Sequence, residues 1–485
     1  MSQRIIGPFN RVEGDLEVRV DIDNAEVRDA WVVSPLYRGF EQILHGKDPR
    51  DTMVYTPRIC GICSVSQSVA AAAALANAQQ LEIPDNGRIA TNLILANENV
   101  ADHLTHFYLF FMPDFARDIY ITESWHTETA RRFRAVSGSA LQEVLPARAN
   151  FMHLMGLLAG KWPHSLAIQP GGTTRPVKIQ EQMRISSILF SFRNFLESVL
   201  FGDTLEHIVA IESLDALRAW SGQHHWQDSD FLRFLQVADA LKLEQLGQSE
   251  NTYMSYGAYP GRKGNLLAAG IWQDGTLEKL QPEAIREDVS HSWMSRRDEP
   301  EHPFEGVTEP DADAPGGYSW CKAPRLGGRV VEVGALARQM VNGHPLVRDL
   351  NRESGANVRN RVIARLLEIA VIVMEMERWT GQLKPGQLFC TQEPLALNDE
   401  TAGVGLVEAA RGSLGHWLRI RNGRILNYQI IAPTTWNFSP RDTIGKRGAL
   451  EQALIGAPVR DGEKDPVAVQ HIVRSFDPCM VCTVH

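Results

Sequence analysis

Two C-x-x-C pairs near opposite ends of a 485-residue chain constrain its fold more than any other feature. Cys60-Gly61-Ile62-Cys63 lies toward the N-terminus, and Cys479-Met480-Val481-Cys482 is followed only by Thr483, Val484 and His485. A cysteine pair so close to a chain end has little packing work to do there. The pattern therefore predicts a fold that carries the tail back to the first pair and joins four sulfurs at one metal centre. The chain has only six cysteines in all, which is not a disulfide framework.

Three chemistries are open to four such thiolates. Structural zinc modules usually place their ligand pairs roughly 15–20 residues apart, far closer than here. A thioredoxin-type dithiol needs only one pair. A redox-active transition metal suits soft sulfur ligands, and the spacing does not identify it. Cys321 and Cys390 are isolated and read as ordinary buried small residues. The alanine-rich run 64–76 predicts a helix just after Cys63, while Asp477 and Pro478 suit the N-cap and first position of a second helix. Helix starts of this kind favour thiolate over thiol.

With 44 % hydrophobic and 22 % charged residues, the composition is that of a globular chain able to bury a sizeable core. A net charge of -9 with no basic stripe argues against a nucleic-acid partner. The first eight residues lack a secretory apolar segment, and no run of about 18 uncharged apolar residues occurs, so a cytoplasmic chain with no membrane span is expected. Alternation over 4–36 predicts a small antiparallel sheet, and Glu13 within it, taken alone, reads as a solvated strand residue. Helical spacing runs from Ile89 to Phe107 and from Val358 to Trp379, with similar stretches near 123–158, 176–200 and 229–246. Residues 296–317 read as a surface loop, 425–431 as a strand and 433–437 as a loop. The expected fold class is α+β and mainly helical, a long central helix bundle with small peripheral antiparallel sheets. One domain spans 1–485, with an N-terminal β region at 4–36, a helical core at 64–382 and a C-terminal active-site region at 400–485.

R-x-C-G-I-C near the N-terminus and D-P-C-x-x-C-x-x-H at the end together resemble the paired signatures of the large subunit of [NiFe]-hydrogenases. Further stretches resemble family motifs in the family's order, including Arg11-Val12-Glu13-Gly14, Arg38-Gly39-Phe40-Glu41, His106-Phe107-Tyr108, Lys322-Ala323-Pro324-Arg325, 408–412 and 433–437. The resemblance implies an oxidoreductase that splits H2 at a Ni-Fe centre with carbon monoxide and cyanide on iron. It implies Cys60, Cys63, Cys479 and Cys482 as nickel ligands, with Cys63 and Cys482 bridging to iron. Glu13 then takes protons from Cys479, and Arg411 is suspended over the open metal position by Asp114 and Asp477. Thr434 donates to cyanide. Glu41 and His485 bind Mg2+ with a main-chain carbonyl near 429–431, and iron-sulfur clusters lie in a partner small subunit.

Departures from the family pattern point to one branch. Gln67 stands where the usual member has histidine, and Gln cannot titrate. Leu109, Phe110 and Phe111 replace further histidines and a smaller residue, and Ile62 replaces the common valine. Ile62 and Phe110 are expected to narrow the gas path. Catalytic members are generally made with a C-terminal extension, whereas this sequence stops at His485. These features resemble the regulatory, H2-sensing class, which turns over slowly and reports H2 to a signalling histidine kinase. The alternative is an energy-conserving uptake enzyme after C-terminal processing. A non-catalytic scaffold of the same fold is a third reading, against which the four retained cysteines argue.

Overall fold

The computed structural model describes residues 2–391, 400–483 and 485. Strands β1 (Ser2–Ile6), β2 (Glu17–Asp23) and β3 (Glu26–Val33) form an antiparallel meander in that order. Val18, Val20 and Ile22 are buried while their neighbours are half-buried, the period-two pattern of a sheet with one face on the core. Asn24 and Ala25, at φ 50° and 61°, make the tight turn between β2 and β3.

The helices that matter to the site are α1 (Phe40–Leu44), α2 (Ser64–Gln79), α3 (Asp85–Thr105), α4 (His126–Phe133), α5 (Leu141–Ala159), α6 (Ile179–Phe195), α7 (Asp230–Leu241), α8 (Ala335–Asn342), α9 (Val358–Gln382), α10 (Pro433–Asn437), α11 (Val467–Ser475) and α12 (Met480–Thr483). Helices α3 and α9 pack against each other through stripes such as Leu93, Val100 and Leu104 on one and Val362, Leu366, Ile369 and Val373 on the other. Helix α3 runs into a π-helical turn at His106–Phe111. The stretch expected to be helical over 123–158 divides into α4 and α5, because Ser137, Gly138 and Ser139 lie in the turn between them. The stretch over 229–246 stops at Leu241, where Lys242 takes a left-handed conformation.

Two further antiparallel meanders were not expected from the sequence. They are β4 (Tyr253–Gly261), β5 (Gly264–Gln273) and β6 (Thr276–Glu278), then β7 (Glu400–Ala409), β8 (Gly412–Arg421) and β9 (Arg424–Ile431). Only β9 carries a pattern readable as a strand. In β4 and β8 seven successive residues are buried, so no alternation marks them. Residues 433–437, expected as a loop, form a helical turn with Pro433 at its first position. The loop expected over 296–317 does lie mainly at the surface, but Thr308 turns inward and is buried.

Helix α2 lies unusually close to β7. A Cβ added at Gly405 would come within 2.0 Å of the Ala70 carbonyl oxygen, and one at Gly403 within 2.1 Å of that of Ala74. The glycines and the alanine run are thus two halves of one helix-on-strand contact, which fixes the helix that begins at Cys63. Gly405→Ala is expected to destabilise the chain by about 3 kcal/mol, because the obstacle is backbone and cannot rotate away. Thermal unfolding beside wild type checks this. One hydrophobic core runs from Ile6 to Cys482, and a smaller one gathers around Tyr256, Trp417 and Trp436. Among the described residues no helix is long and apolar enough to cross a membrane.

Candidate metal centre

The four cysteines meet. Their sulfurs all lie within 4.8 Å of one another, and all four residues are buried. Cys60 Sγ is 3.6 Å from Cys479 Sγ, Cys63 Sγ is 3.0 Å from Cys482 Sγ, and Cys479 and Cys482 are 2.9 Å apart. A tetrahedron of metal–sulfur bonds near 2.3 Å has edges of roughly 3.7 Å; the Cys60–Cys479 separation matches this, while the pairs that include Cys482 are closer and would open by under about 1 Å around an ion.

Specific contacts bring the two loops together. Arg38 Nη2 donates to the carbonyl of Ile59, just before Cys60, at 2.6 Å, and also to that of Val481, just before Cys482. The tail crosses the β1–β2 loop as a parallel bridge between Glu13 and Cys479, with Met480 N–H donating to the Glu13 carbonyl at 2.7 Å and Glu13 N–H to that of Pro478 at 3.3 Å. Gly14, at φ +81°, makes room for this crossing, since a Cβ there would meet Val481 Cγ1 at 2.9 Å. Cys479 N–H donates to Thr434 Oγ1 at 3.1 Å, which leaves the Thr434 hydroxyl hydrogen for another acceptor.

The expected role of helix starts needs correction. Cys63 does precede α2, but the free amides there go to Glu98, which accepts from Val65 N–H at 2.8 Å and Ser66 N–H at 2.9 Å. Burial pushes the Glu98 carboxyl up to about 8 even so. Asp477 is not an N-cap. Its φ is +56°, it lies just past Phe476, the C-cap of helix α11, and α12 starts only at Met480. The thiolates therefore need a cation rather than helix dipoles. Hydrogen bonds from Cys479 and the other thiols lower Cys60 well below its ordinary value, while burial raises Cys479 and Cys482, and hydrogen bonding to Cys479 raises Cys63. A buried soft S4 donor set fits nickel well.

Two charged groups stand against the sulfurs. Glu13 is half-buried, and its carboxylate makes no hydrogen bond among the described residues. Burial raises its pKa, with the Cys60 sulfur adding to the effect. Arg411 is buried, with Nη1 and Nη2 donating to Asp102, the second at 3.3 Å, and Nη2 donating to Asp477 at 3.2 Å. Burial alone would lower the Arg411 pKa, but Asp102 and then Asp477 outweigh it and hold the guanidinium charged. This argues against Arg411 as a base and for an electrostatic and positioning part.

Asp114 is not one of the carboxylates on Arg411; Asp102 takes that place beside Asp477. Asp114 instead receives Arg474 Nη1 at 2.8 and 2.9 Å, Arg117 at 2.8 Å, His471 at 3.2 Å and also Arg11. Arg474 in turn donates to the Asn10 carbonyl at 2.8 Å. Asp114 thus ties the loop that carries Glu13 to helix α11, which leads into Asp477.

Comparison with known proteins settles the family. The family model described as nickel-dependent hydrogenase matches residues 38–143 and 139–485. The chain belongs to the nickel-dependent hydrogenase family. It is 30 % identical over 518 residues to the periplasmic [NiFeSe] hydrogenase large subunit of Desulfomicrobium baculatum, covering 99 % of this chain and 94 % of that one. It is 28 % identical over 590 residues to the hydrogenase-2 large chain of Escherichia coli, covering 100 % and 97 %. The Ni-Fe-Se hydrogenase from D. vulgaris Hildenborough superposes with a TM-score of 0.86 at 29 % identity, over 100 % of both chains. The mainly helical fold with small antiparallel sheets is that of the hydrogenase large subunit, and the chain is an oxidoreductase acting on H2.

Elsewhere in this hydrogenase, Glu41 and His485 face each other, with His485 Nε2 3.3 Å from Glu41 Oε1. Thr308 Oγ1 and Lys322 Nζ also reach Glu41, the latter at 3.4 Å, and Ile430 N–H donates to it at 2.8 Å. Burial would raise the Glu41 pKa, but Lys322 and then His485 hold it down at about 2. A cavity of about 10 Å³ adjoins these groups, room for roughly one water or small ion, and buried Glu287 Oε1 has no hydrogen-bond partner there. Hard oxygen ligands and an orphaned carboxylate oxygen fit Mg2+.

Gln67 is buried, and its Oε1 accepts from His416 Nε2–H at 2.8 Å, while Tyr428 O–H donates to His416 Nδ1 at 2.7 Å. Ile62 and Phe110 are half-buried. Cys321 is buried and Cys390 half-buried, and neither belongs to the sulfur cage. Sequence reasoning missed Asp102, Glu98 and Thr308 and gave Arg38 no role beyond its motif; all four are polar side chains that matter through contacts distant in sequence.

Proposed function

We propose that this chain is the catalytic subunit of an H2-sensing regulatory [NiFe]-hydrogenase. The observation that carries the H2 chemistry is the buried cage of four sulfurs with Glu13 and Arg411 against it. Cys60, Cys63, Cys479 and Cys482 would hold nickel, with Cys63 and Cys482 shared with iron. When bound, a Ni-Fe(CN)2(CO) pair supplies the Lewis acidity that polarises H2 and accepts its two electrons.

The protein's own groups then handle the protons. H2 yields two protons and two electrons; the protons leave one after the other, each taken at Cys479 Sγ and passed to the Glu13 carboxylate, whose raised pKa lets it hold a proton nearer neutrality. Arg411, fixed by Asp102 and Asp477, keeps positive charge over the site as the sulfurs carry theirs. Thr434, with its hydroxyl hydrogen free, is suited to donate to a cyanide nitrogen. Glu41 and His485 would bind Mg2+ and pin the tail. The electrons leave to iron-sulfur clusters of a docked small subunit, in the cytoplasm, since this chain has no spare cysteine cluster to hold them.

Gln67, Ile62 and Phe110 support the sensing assignment. The test mixes the heterodimer with a histidine kinase and follows kinase autophosphorylation with and without H2. An H2-dependent change is expected, with slow turnover; fast turnover and an indifferent kinase would point to an energy-conserving uptake enzyme. If Ile62 and Phe110 narrow the gas path, Ile62→Val with Phe110→Leu should make activity fall in air. Activity in air equal to wild type would rule that role out.

A further inference from the structure

Arg411 sits in the turn that joins β7 to β8, where Ala409 pairs with Gly412. A turn of this length does not by itself fix the aim of a long side chain. What occupies its inner side is Arg338 of helix α8, which is 1 % exposed. All five of its N–H donors are used. Nε and Nη2 hold the Glu368 carboxylate at 2.9 and 2.7 Å, Nη1 reaches Glu408 Oε2 at 2.8 Å and the Ala409 carbonyl at 2.8 Å, and Nη2 reaches the Ala410 carbonyl at 2.9 Å.

The carbonyls held are those of the two residues immediately before Arg411. The far side of the pair is anchored by the same carboxylates. Glu368 accepts from His103 Nε2–H at 3.1 Å, and His103 follows Asp102, the residue that receives Arg411. Glu408 accepts from Ser413 O–H at 2.6 Å and Tyr256 N–H at 2.7 Å, and Asn99, one turn before His103 on α3, donates to the Glu408 carbonyl at 3.2 Å. Arg411 and Asp102 are therefore each flanked by residues of one buried frame.

We propose that Arg338 is a positioning residue for H2 activation, its guanidinium clamping the 409–410 backbone so that Arg411 meets Asp102 and stays aimed at the sulfur cage. A buried arginine with two carboxylate partners is a poor source of net stability, and its value lies in fixing one geometry. The planar fork is essential, because an ammonium is a point charge and cannot hold two carboxylates and two carbonyls at once.

The test is Arg338→Lys in the purified heterodimer, and it rests on the H2-activating reading. Nickel and iron content should equal wild type, KM for H2 should stay unchanged, and kcat should fall by about 10- to 100-fold, since a misplacement near 1 Å can cost that much. A crystal structure of the variant should show Arg411 withdrawn from Asp102. Wild-type kcat with the Arg411–Asp102 contact intact would overturn the proposal, as would loss of activity with Arg411 still in place. If Arg338→Lys does not fold, Glu368→Gln keeps the shape and loses the charge; a smaller fall in kcat at full metal content is expected, and wild-type kcat refutes the clamp. A wild-type heterodimer without H2 turnover would instead sink the underlying reading.

Discussion

Cys482→Ser is expected to leave the chain without nickel and with H2 turnover reduced at least 1,000-fold. Cys482 lies closest to two of the other three sulfurs, at 3.0 Å from Cys63 and 2.9 Å from Cys479, so it is shared by both halves of the cage. Serine has nearly the same shape but offers a hard oxygen whose proton is held far more tightly than that of a thiol, so the soft metal loses a ligand and the other three sulfurs lose the cation that lets them ionise together. Overall folding should survive, because the tail is also held by the Glu13 bridge, by Thr434 and by Arg38. Metal analysis beside circular dichroism checks both halves. A folded variant that keeps wild-type nickel would show that the cage is not the nickel site.

Glu13→Gln should lower turnover by about 100- to 1,000-fold while nickel content stays at the wild-type level, the range expected when a single proton carrier is removed. The reason is local: the carboxylate makes no hydrogen bond among the described residues and feels the Cys60 sulfur, and burial raises its pKa, so it holds a proton more readily than an ordinary surface glutamate. Glutamine preserves size and polarity but cannot carry that proton. Exchange between H2 and the deuterium of D2O should fall in parallel with turnover. A variant that keeps full exchange would show that protons leave by another group.

Much of this centre was legible before any fold was known, and the reasons differ residue by residue. The four cysteines stand in pairs whose spacing is unusual enough to mark them, whereas the roles of Glu13, Arg411, Glu41, Asp477 and His485 come only from the resemblance to the hydrogenase large subunit. Asp102 was hidden because one carboxylate on a long helix looks like another; its neighbour in the helix, Glu98, lies one turn away on the same buried face. Two carboxylates four residues apart on a buried stripe are the clue that would have found it, since such groups are almost never buried without a partner. Asp114 stands near the same motif but points to a different set of cations. Strands β4 and β8 escaped notice for the opposite reason, being buried on both faces, while the left-handed Asp477 breaks the helix-start pattern that its sequence suggests.

Metal analysis combined with infrared spectroscopy of the purified complex, under H2 and under air, tests the centre most directly. The account predicts nickel, iron in excess of nickel because the partner's iron-sulfur clusters add theirs, and sharp bands from metal-bound carbon monoxide and cyanide that change when H2 is admitted. Zinc alone, with no such bands in either gas, would contradict it.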